Sequence, residues 1–391
     1  MINEKIEQAV AILAEHDIDM WLTFVRESTS TPDPMLETIL GGNVTWASAF
    51  IITKAGKKIA IVGSMDVQNV KDHADYEVIG YRDSIKEPLL NILKENDPGR
   101  IAINFSTNDV IADGLTHGMY LMLNDYLKDS PFSDRLVSSE GIIAAVRGRK
   151  SESEVKRIKA AIDETLDIYD QVTGFLQIGK SERDVADFIL AKMRAKGLQT
   201  AWDPDHCPAV FTGPDTAGAH AGPTERKIKA GHLLNIDFGV KKDDYVSDLQ
   251  RTWYILAPGE SNAPDMVMHG FETIRDAIQE AAKALKPGVE GWSVDAVARQ
   301  YIVDAGYDEY PHALGHQVGR KAHDGSGLLC PKWDRYKNLP YSIVEKGQVF
   351  TIEPRLTVAG HGIATIEEIV QVTDDGCIFL SEPQKELILI G

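Results

Sequence analysis

The hydrophobic pattern of the N-terminal part of the chain alternates between helical and strand spacing. Ile2, Ile6, Val10 and Leu13 fall on one helical stripe. Short apolar runs typical of strands follow, and helical stretches separate them, the clearest at residues 109–128. The strand candidates are residues 19–25, the paired runs 49–53 and 59–62, and then 76–81 and 100–104. Strands mixed with helices over this length predict an α/β domain, and no phosphate-binding loop or dinucleotide fingerprint occurs in it.

A domain boundary is predicted at the basic segment of residues 146–150. This segment is poor in apolar residues, and the sequence SESE at 151–154 follows it as the capping box of a long helix. We therefore predict two domains, residues 1–147 and residues 148–391. The chain of 391 residues is long enough to give each domain a hydrophobic core of its own.

The second domain contains a faint internal repeat. Gly179 and Ser181 precede one amphipathic helix, Gly288 and Ser293 precede another, and in both cases Val-Ala follows the serine four residues later. Two interpretations stay open. A duplication would set two related α/β halves against each other with a site between them, whereas chance would leave the similarity without structural meaning.

Two acids stand in a predicted hairpin at residues 235–253. Apolar and polar positions alternate before and after the charged loop 241–244, which indicates two half-buried strands. A symmetric register predicts that Asp237 and Asp248 lie directly opposite each other on one face, where their repulsion would favour a bound cation. A bulge would break this register, and the alternative is a solvated hairpin with scattered acids.

Charge and cysteine content narrow the class of protein. The net charge of −18 argues against nucleic acid or an anionic membrane as a partner. The three cysteines are far apart and form no CxxC pair, which indicates a reducing compartment. The N-terminus lacks the pattern of a signal peptide and no apolar run is long enough to span a membrane, so we expect a cytoplasmic protein.

Histidines and glutamates cluster in the second domain. His312, His316 and His323 fall within one glycine-interrupted segment, and Glu353 ends an alternating strand pattern directly before a proline. The adjacent acids 367 and 368 follow in a strand pattern. Because neighbouring strand residues point to opposite faces, only one of these two glutamates can reach a shared site.

These residues resemble the metallopeptidases with the pita-bread fold, in the branch that contains aminopeptidase P and prolidase. The motifs that carry the resemblance are IDFG with Asp237, YVSD with Asp248, HALGHQVG with His316, TIEP with Glu353 and IEEIVQVT with Glu367. They occur in the family's order and cover most of residues 150–391. The resemblance implies an α/β (α+β) fold, with a creatinase-like N-terminal domain followed by a pseudo-two-fold catalytic domain.

The resemblance also implies that these five residues are the ligands of a dinuclear metal centre. Charge counting agrees, because four carboxylates are neutralised by two divalent ions, whereas one ion would leave a net charge in a buried pocket. Oxygen and imidazole donors suit Mn²⁺, Fe²⁺, Co²⁺ or Zn²⁺. The family works mostly with manganese or cobalt, so we expect Mn²⁺.

The implied reaction is hydrolysis of the Xaa-Pro bond of a short peptide by a metal-activated water. Glu353 would act as general base and then as general acid. His220 and His323 would hydrogen-bond the oxyanion and the scissile peptide, and His312 would line the substrate pocket. The resemblance does not separate an aminopeptidase from a dipeptidase, and it implies a homodimer.

Four positions depart from the family's pattern. Gln250 stands where threonine is common, Asp324 where glutamate is expected, Arg355 where glycine is expected and Thr365 where arginine is common. Residues around metal ligands tune affinity and orientation, so the level of activity and the specificity are the properties that these changes affect. Arg355 has two open interpretations, a carboxylate-binding residue or a solvated side chain, and we expect the second.

Two other functions compete with the peptidase. A non-hydrolytic enzyme similar to creatinase or a related lyase would have lost the metal ligands, and all five are present here. A non-catalytic binding module would keep four buried acids without metal, which would destabilise it. The metallopeptidase is therefore the expected function.

Overall fold

In the computed structural model, which describes residues 1–216 and 222–391, the chain divides into two units, Met1–Arg147 and Gly148–Gly391. The strands of the first unit are β1 Met20–Val25, β2 Ser48–Thr53, β3 Lys58–Gly63, β4 Glu77–Tyr81, β5 Ile101–Ile103 and β6 Leu136–Ser138. Its helices are α1 Ile2–Glu15, α2 Leu36–Ile39, α3 Val67–His73, α4 Lys86–Asn96, α5 His117–Leu127 and α6 Glu140–Gly148, with 3-10 turns at Val110–Ala112 and Ser133–Arg135.

One mixed sheet, in the order β4-β3-β2-β1-β5-β6, organises the first unit. Every residue of β1 is buried, which shows that both faces of the sheet are covered. Trp21 and Val25 belong to the core on one face, and Met20, Leu22 and Phe24 belong to the core on the other. The strand alternation of one short apolar run therefore supplies two separate cores.

The helix predicted over residues 109–128 is shorter than expected. It is replaced by the 3-10 turn, which Asp109 caps, and by α5, which begins after the cap Thr116. Gly114 lies between them, and a Cβ at this position would overlap the Asp33 carboxylate. The close approach of a buried acid therefore ends the first segment, which helical spacing alone does not reveal.

The second unit has four helices and fourteen strands among its described residues. The helices are α7 Glu152–Thr173, α8 Glu182–Ala195, α9 Asp265–Ala284 and α10 Gly291–Asp304, with 3-10 turns at Asp334–Tyr336 and Leu339–Tyr341. The first strands are β7 Gln199–Thr200, β8 Ala209–Thr212, β9 Leu233–Phe238, β10 Val240–Lys242, β11 Tyr245–Val246 and β12 Leu249–Ile255. The later ones are β13 Gly315–His316, β14 Leu328–Leu329, β15 Val349–Ile352, β16 Arg355–Val358, β17 Gly362–Thr365, β18 Glu368–Val372, β19 Cys377–Phe379 and β20 Ile388–Ile390.

Two sheets of the second unit meet where the predicted site residues lie. One has the order β20-β12-β9-β8 and the other β15-β18-β19. An isolated bridge between Gln250 of β12 and Glu367, directly before β18, joins them. One core of this unit packs α9 and α10 against these strands, with Phe271, Val294 and Ile352 fully buried. Helices on one side and strands on the other hold the site residues on rigid backbone.

The backbone of the second unit supports the duplication interpretation. Gly179 and Gly288 have φ of 90° and 88°. Their amides donate to the carbonyl oxygens of Ile228 and Val344 at 3.0 and 2.9 Å. The helices that follow, α8 and α10, are each 14 residues long. Matching turns, pairings and helix lengths are expected of a duplicated unit.

The predicted match of Ser181 with Ser293 is wrong by about one helical turn. Ser181 is the N-cap of α8, but the N-cap of α10 is Glu290, and Ser293 lies inside that helix. Both cap residues also form isolated bridges to a neighbouring segment. The structural counterpart of Ser181 is therefore Glu290, whose side chain does not cap the helix, so the shared serine pattern was misleading.

Among the described residues, no helix combines the length and the apolar character needed to cross a bilayer.

Candidate metal centre

The strands that carry Asp237 and Asp248 pair in a different register from the predicted one. Asp237 lies opposite Gln250, so the prediction of two directly opposed acids is wrong. Asp248 is two residues before Gln250, which makes the two acids diagonal neighbours on the same side of the hairpin. Both acids still lie on one face of the hairpin, which is what a cation bound between them requires.

A two-residue turn explains the change of register. Asp243 and Asp244 have φ of 49° and 66°, and Lys242 pairs with Tyr245 on either side of them. Positive φ at both central residues is the geometry of a type I′ hairpin turn, which asparagine and aspartate tolerate. The predicted register required the turn one residue earlier.

Gly239 lets the hairpin change its path beside Asp248. A Cβ at this glycine would overlap the carbonyl oxygen of Ser247 on the facing strand. The amide of Val240 donates to the Ser247 hydroxyl at 3.0 Å, and regular pairing stops on both sides of this contact. Asp248 lies in the interruption, directly before β12, and is buried.

His316 is positioned by the packing of β13 against β15. Its amide donates to the Thr351 hydroxyl at 3.1 Å, and Gly315 before it approaches the Thr351 backbone so closely that a Cβ would overlap. Its Nε2 lies 3.3 Å from Glu353 Oε1 and 3.7 Å from Asp248 Oδ2. Two acids on different strands therefore converge on one imidazole nitrogen.

The adjacent glutamates 367 and 368 point to different partners. Glu367 offers a ligand atom to the group that also contains Asp248 and His316, and these atoms lie within 4.8 Å of one another. Glu368 instead forms an ion pair with Arg251 at 3.1 Å and accepts from Ser381 at 2.5 Å. Only Glu367 reaches the cluster, because successive strand residues face opposite sides.

Burial raises the pKa of Asp237, Asp248 and Glu367 well above the usual carboxyl range. The negative charge of Glu353 adds to each of these shifts. Burial also raises the pKa of Glu353, but the hydrogen bond from His316 and the charged forms of His316, His312 and His323 outweigh it and lower the pKa. The four carboxyls therefore cannot all ionise in this pocket unless a cation compensates them.

The residues of this pocket fit a divalent metal. Within the described part of the chain, the buried oxygens Asp237 Oδ1 and Glu367 Oε1 have no hydrogen-bond partner, which is costly unless a ligand satisfies them. His316 Nδ1 donates to the Gln317 carbonyl oxygen at 3.4 Å, so Nε2, which faces Glu353 and Asp248, is the nitrogen that would bind a metal once it has lost its proton. Carboxylate and imidazole donors together suit Mn²⁺, Fe²⁺, Co²⁺ or Zn²⁺.

Two further histidines lie at the edge of this cluster. The ring of His323 packs edge-on against the His316 ring, with centroids 4.1 Å apart. Burial lowers the pKa of His312, and its Nδ1 donates to the Ala313 carbonyl oxygen at 2.8 Å. His312 is thereby favoured as a neutral imidazole whose Nε2 is an acceptor. His220, the remaining predicted histidine, lies outside the described residues.

Tyr169 supports the centre and was missed in the sequence. Its buried hydroxyl lies 2.9 Å from the Ile236 carbonyl oxygen and 2.6 Å from that of Leu249, which ties α7 to the two strands that carry the acids. Burial raises its pKa well above the ordinary value, so the hydroxyl stays protonated and donates. Only its place on the apolar face of α7 marks it, and core tyrosines share that feature.

Comparison with known proteins identifies the family of the chain that forms this pocket. The model of metallopeptidase family M24 matches residues 156–374. The chain belongs to metallopeptidase family M24. It is 33% identical over 323 residues, 80% of each protein, to the Xaa-Pro dipeptidase of Lactobacillus delbrueckii subsp. lactis.

Solved structures agree on the fold. The structure of the Xaa-Pro dipeptidase from Bacillus anthracis superposes on this chain with a TM-score of 0.76 and a sequence identity of 24%. The match covers 100% of both chains. The X-Pro aminopeptidase from Thermotoga maritima superposes with a TM-score of 0.73 and a sequence identity of 22%. This match covers 98% of the present chain and 99% of the aminopeptidase. The predicted α/β fold class and the predicted family are confirmed, and this M24 chain is a metallopeptidase, a hydrolase of a family that uses divalent metals.

Two departures from the expected M24 pattern touch each other. The Thr365 hydroxyl donates to Gln250 Oε1 at 3.0 Å, and Gln250 Nε2 donates to Glu353 Oε2 at 3.3 Å. Gln250 also lies close enough to Glu367 to lower the pKa of that carboxyl against the larger effect of burial. A glutamine oriented by a threonine therefore replaces both expected side chains at once, holds the Glu353 carboxylate and acts on that of Glu367.

A third departure in this M24 chain, Asp324, belongs to a buried ion pair. Lys150 has no exposed side-chain surface, and its Nζ lies 3.5 Å from Asp324 Oδ2 and 3.1 Å from the Asp324 carbonyl oxygen. The Arg320 amide donates to Oδ2 of the same carboxylate at 2.7 Å. Because Asp324 follows His323 directly, this ion pair fixes the backbone that presents the His323 ring to His316.

Lys150→Met is expected to lower the free energy of unfolding by about 3 kcal/mol, because it leaves the buried Asp324 carboxylate without its lysine. The melting temperature should fall by roughly 5–10 °C. Differential scanning calorimetry measures this against Lys346→Met, a control at an exposed lysine that pairs with Asp374. A melting temperature of Lys150→Met equal to that of the control would contradict a structural role for the pair.

Proposed function

We propose that this chain hydrolyses the peptide bond between an N-terminal residue and proline in short peptides. The observation that carries the proposal is the buried cluster of Asp237, Asp248, His316, Glu353 and Glu367 in an M24 fold, with two carboxylate oxygens that lack partners among the described residues. The Xaa-Pro specificity is taken from the names of the relatives, which include Xaa-Pro dipeptidases.

We propose that these five residues hold two divalent metal ions, and that the ions are Mn²⁺. Four carboxylates balance two divalent charges, whereas a single ion would leave a buried net charge. When bound, such a pair of ions supplies a water molecule whose pKa is lowered to near neutrality.

Glu353 is the residue best suited to move the proton. Its pKa is held below its usual range, so its carboxylate is ionised at neutral pH and can accept a proton. Its Oε1 lies 3.3 Å from His316 Nε2, and its Oε2 accepts a hydrogen bond from Gln250. We propose that Glu353 takes the proton of the attacking water and delivers it to the amine that leaves.

The histidines would recognise the substrate around the scissile bond. His323, fixed against His316, is proposed to donate to the oxyanion of the tetrahedral intermediate, and His220 to bond the scissile peptide. His312, with a lowered pKa, is proposed to line the substrate pocket as a neutral imidazole.

We also propose that the chain forms a homodimer. We propose a location in the cytoplasm, which the three free cysteines favour.

Mn²⁺-loaded protein is expected to cleave Ala-Pro, Ala-Pro-Ala or both, with kcat/KM of about 10⁴ M⁻¹ s⁻¹ or more for the better substrate. Release of alanine, measured by chromatography, is the readout, and Pro-Ala, which lacks an Xaa-Pro bond, is the matched control. Cleavage of neither Xaa-Pro peptide would contradict the proposed specificity. The non-hydrolytic creatinase-like or lyase-like activity on a small molecule would then become the leading candidate.

A further inference from the structure

Arg355 follows the proposed ligand Glu353 by two residues, at the start of a strand. It opens β16 and lies directly opposite Thr365 of β17. Directly opposed residues place their side chains on the same face of a ladder, with Cβ atoms about 4.5–5.5 Å apart. The Thr365 side chain points to Gln250, which holds Glu353. The Arg355 side chain therefore leaves the ladder on the face that carries these polar groups.

The Arg355 guanidinium is half-buried, not solvated as expected from the sequence. Its positive charge lies close enough to His312 to act on that imidazole. Within residues 1–216 and 222–391, no hydrogen bond or ion pair of this guanidinium is found. Buried Arg251 and Arg299, in contrast, are matched with Glu368 and Asp295 at 3.1 and 2.8 Å.

A partly desolvated guanidinium without an acid is costly for the protein and is suited to an anion that arrives with a ligand. The proline of an Xaa-Pro dipeptide carries such an anion. Its carboxylate is attached to the carbon next to the nitrogen that hydrolysis releases. A cation that binds this carboxylate must therefore lie within one side chain of the reacting bond.

Arg355 meets this requirement, because it follows Glu353 by two residues, roughly 7 Å along an extended chain. The planar guanidinium binds carboxylates through two parallel hydrogen bonds. We propose that Arg355 binds the C-terminal carboxylate of the substrate and makes this chain a dipeptidase in preference to an aminopeptidase. The inference rests on the proposed function, since it presumes that the chain hydrolyses Xaa-Pro bonds.

The wild-type comparison is the first test. The Mn²⁺-loaded enzyme should cleave Ala-Pro with kcat/KM roughly 10- to 100-fold above that for Ala-Pro-amide, which keeps the scissile bond but lacks the carboxylate. The difference should appear mainly in KM, because the contact forms in the substrate complex as well as in the transition state. Equal kcat/KM for the two compounds would overturn the inference while leaving the Xaa-Pro peptidase intact.

In the variant Arg355→Met, kcat/KM for Ala-Pro should fall, whereas kcat/KM for Ala-Pro-amide should change little. The ratio of the two values should therefore be about 3 or less. Arg355→Lys, which keeps the charge but not the two parallel bonds, should give an intermediate ratio. Arg275→Met is the matched control, since Arg275 is bonded to Asp276 on α9. A ratio in Arg355→Met equal to that of the wild type would overturn the assignment.

A binding measurement separates failure of this inference from failure of the proposed function. Isothermal titration of Mn²⁺-loaded protein should give tighter binding of proline than of prolinamide, and Arg355→Met should remove the difference. If the wild type cleaves no Xaa-Pro compound, the proposed function fails, and the proline titration still decides whether Arg355 binds the carboxylate. Equal binding of proline and prolinamide by the wild type would refute that role.

Discussion

Asp248→Asn is expected to lower kcat/KM for Xaa-Pro hydrolysis by about 1,000-fold or more, because loss of a residue next to a ligand already costs 10–100-fold. Asp248 lies 3.7 Å from His316 Nε2 and belongs to the same group of close ligand atoms as Glu367. An amide keeps the shape of the side chain but removes a negative charge that the proposed metals need. Metal content by mass spectrometry should fall together with activity.

The same substitution should have the opposite effect on the stability of protein treated with chelator. Burial and the charges of Asp237 and Glu353 raise the pKa of Asp248, so its ionised form opposes folding when no cation is present. Chelated Asp248→Asn should therefore melt above chelated wild type near neutral pH. Asp374→Asn, at an exposed acid paired with Lys346, is the control and should change neither measurement. Full activity and metal content in Asp248→Asn would remove it from the site.

The order of motifs along the sequence predicts which residues form the cluster, but it does not predict their geometry. Asp237, Asp248 and His316 stand in short motifs whose order is preserved, so their identity could be read along the chain. Their mutual placement depends on a turn whose two aspartates adopt positive φ. Several turn types are open to a charged loop, and the wrong choice moved the pairing by two positions.

The spacing of residues along the sequence does not predict contacts between side chains that are far apart in the chain. Gln250 and Thr365 depart from the family's pattern at two distant positions of the sequence, yet their hydrogen bond makes them one feature of the site. The burial of Arg355 follows from strand pairing and packing, and an arginine after a proline in the sequence gives no sign of it. Tertiary packing determines such positions, and a single sequence does not encode it locally.

Removal of metal is expected to lower the melting temperature by roughly 15 °C or more near neutral pH. The two proposed metal sites, each with free metal at about 1,000-fold its dissociation constant, would stabilise the folded state by about 8 kcal/mol in total. For a chain of this size a change of 1 kcal/mol moves the melting temperature by roughly 2 °C. Scanning calorimetry of Mn²⁺-loaded and chelator-treated protein measures the difference.

The difference in melting temperature between Mn²⁺-loaded and chelator-treated protein should widen as the pH rises from about 5 to about 8. In metal-free protein the pKa of Asp237, Asp248 and Glu367 is raised above the unfolded values, so the folded state binds more protons than the unfolded state in this range. The stability of the metal-free form is therefore full below the unfolded pKa values and is lost as the pH rises through the raised ones. Glu353, with a lowered pKa, is ionised in both the folded and the unfolded state over this range and does not change the trend.

Metal-loaded protein should respond to pH in the other direction, because the ligands must lose their protons before they bind metal. Rising pH thus strengthens the loaded form while it weakens the chelated form. In chelated Asp248→Asn one of the raised groups is absent, and its melting temperature should fall less steeply with pH than that of chelated wild type. A melting-temperature difference that stays constant or narrows with rising pH would mean that the buried carboxyls are not the groups that hold the metal.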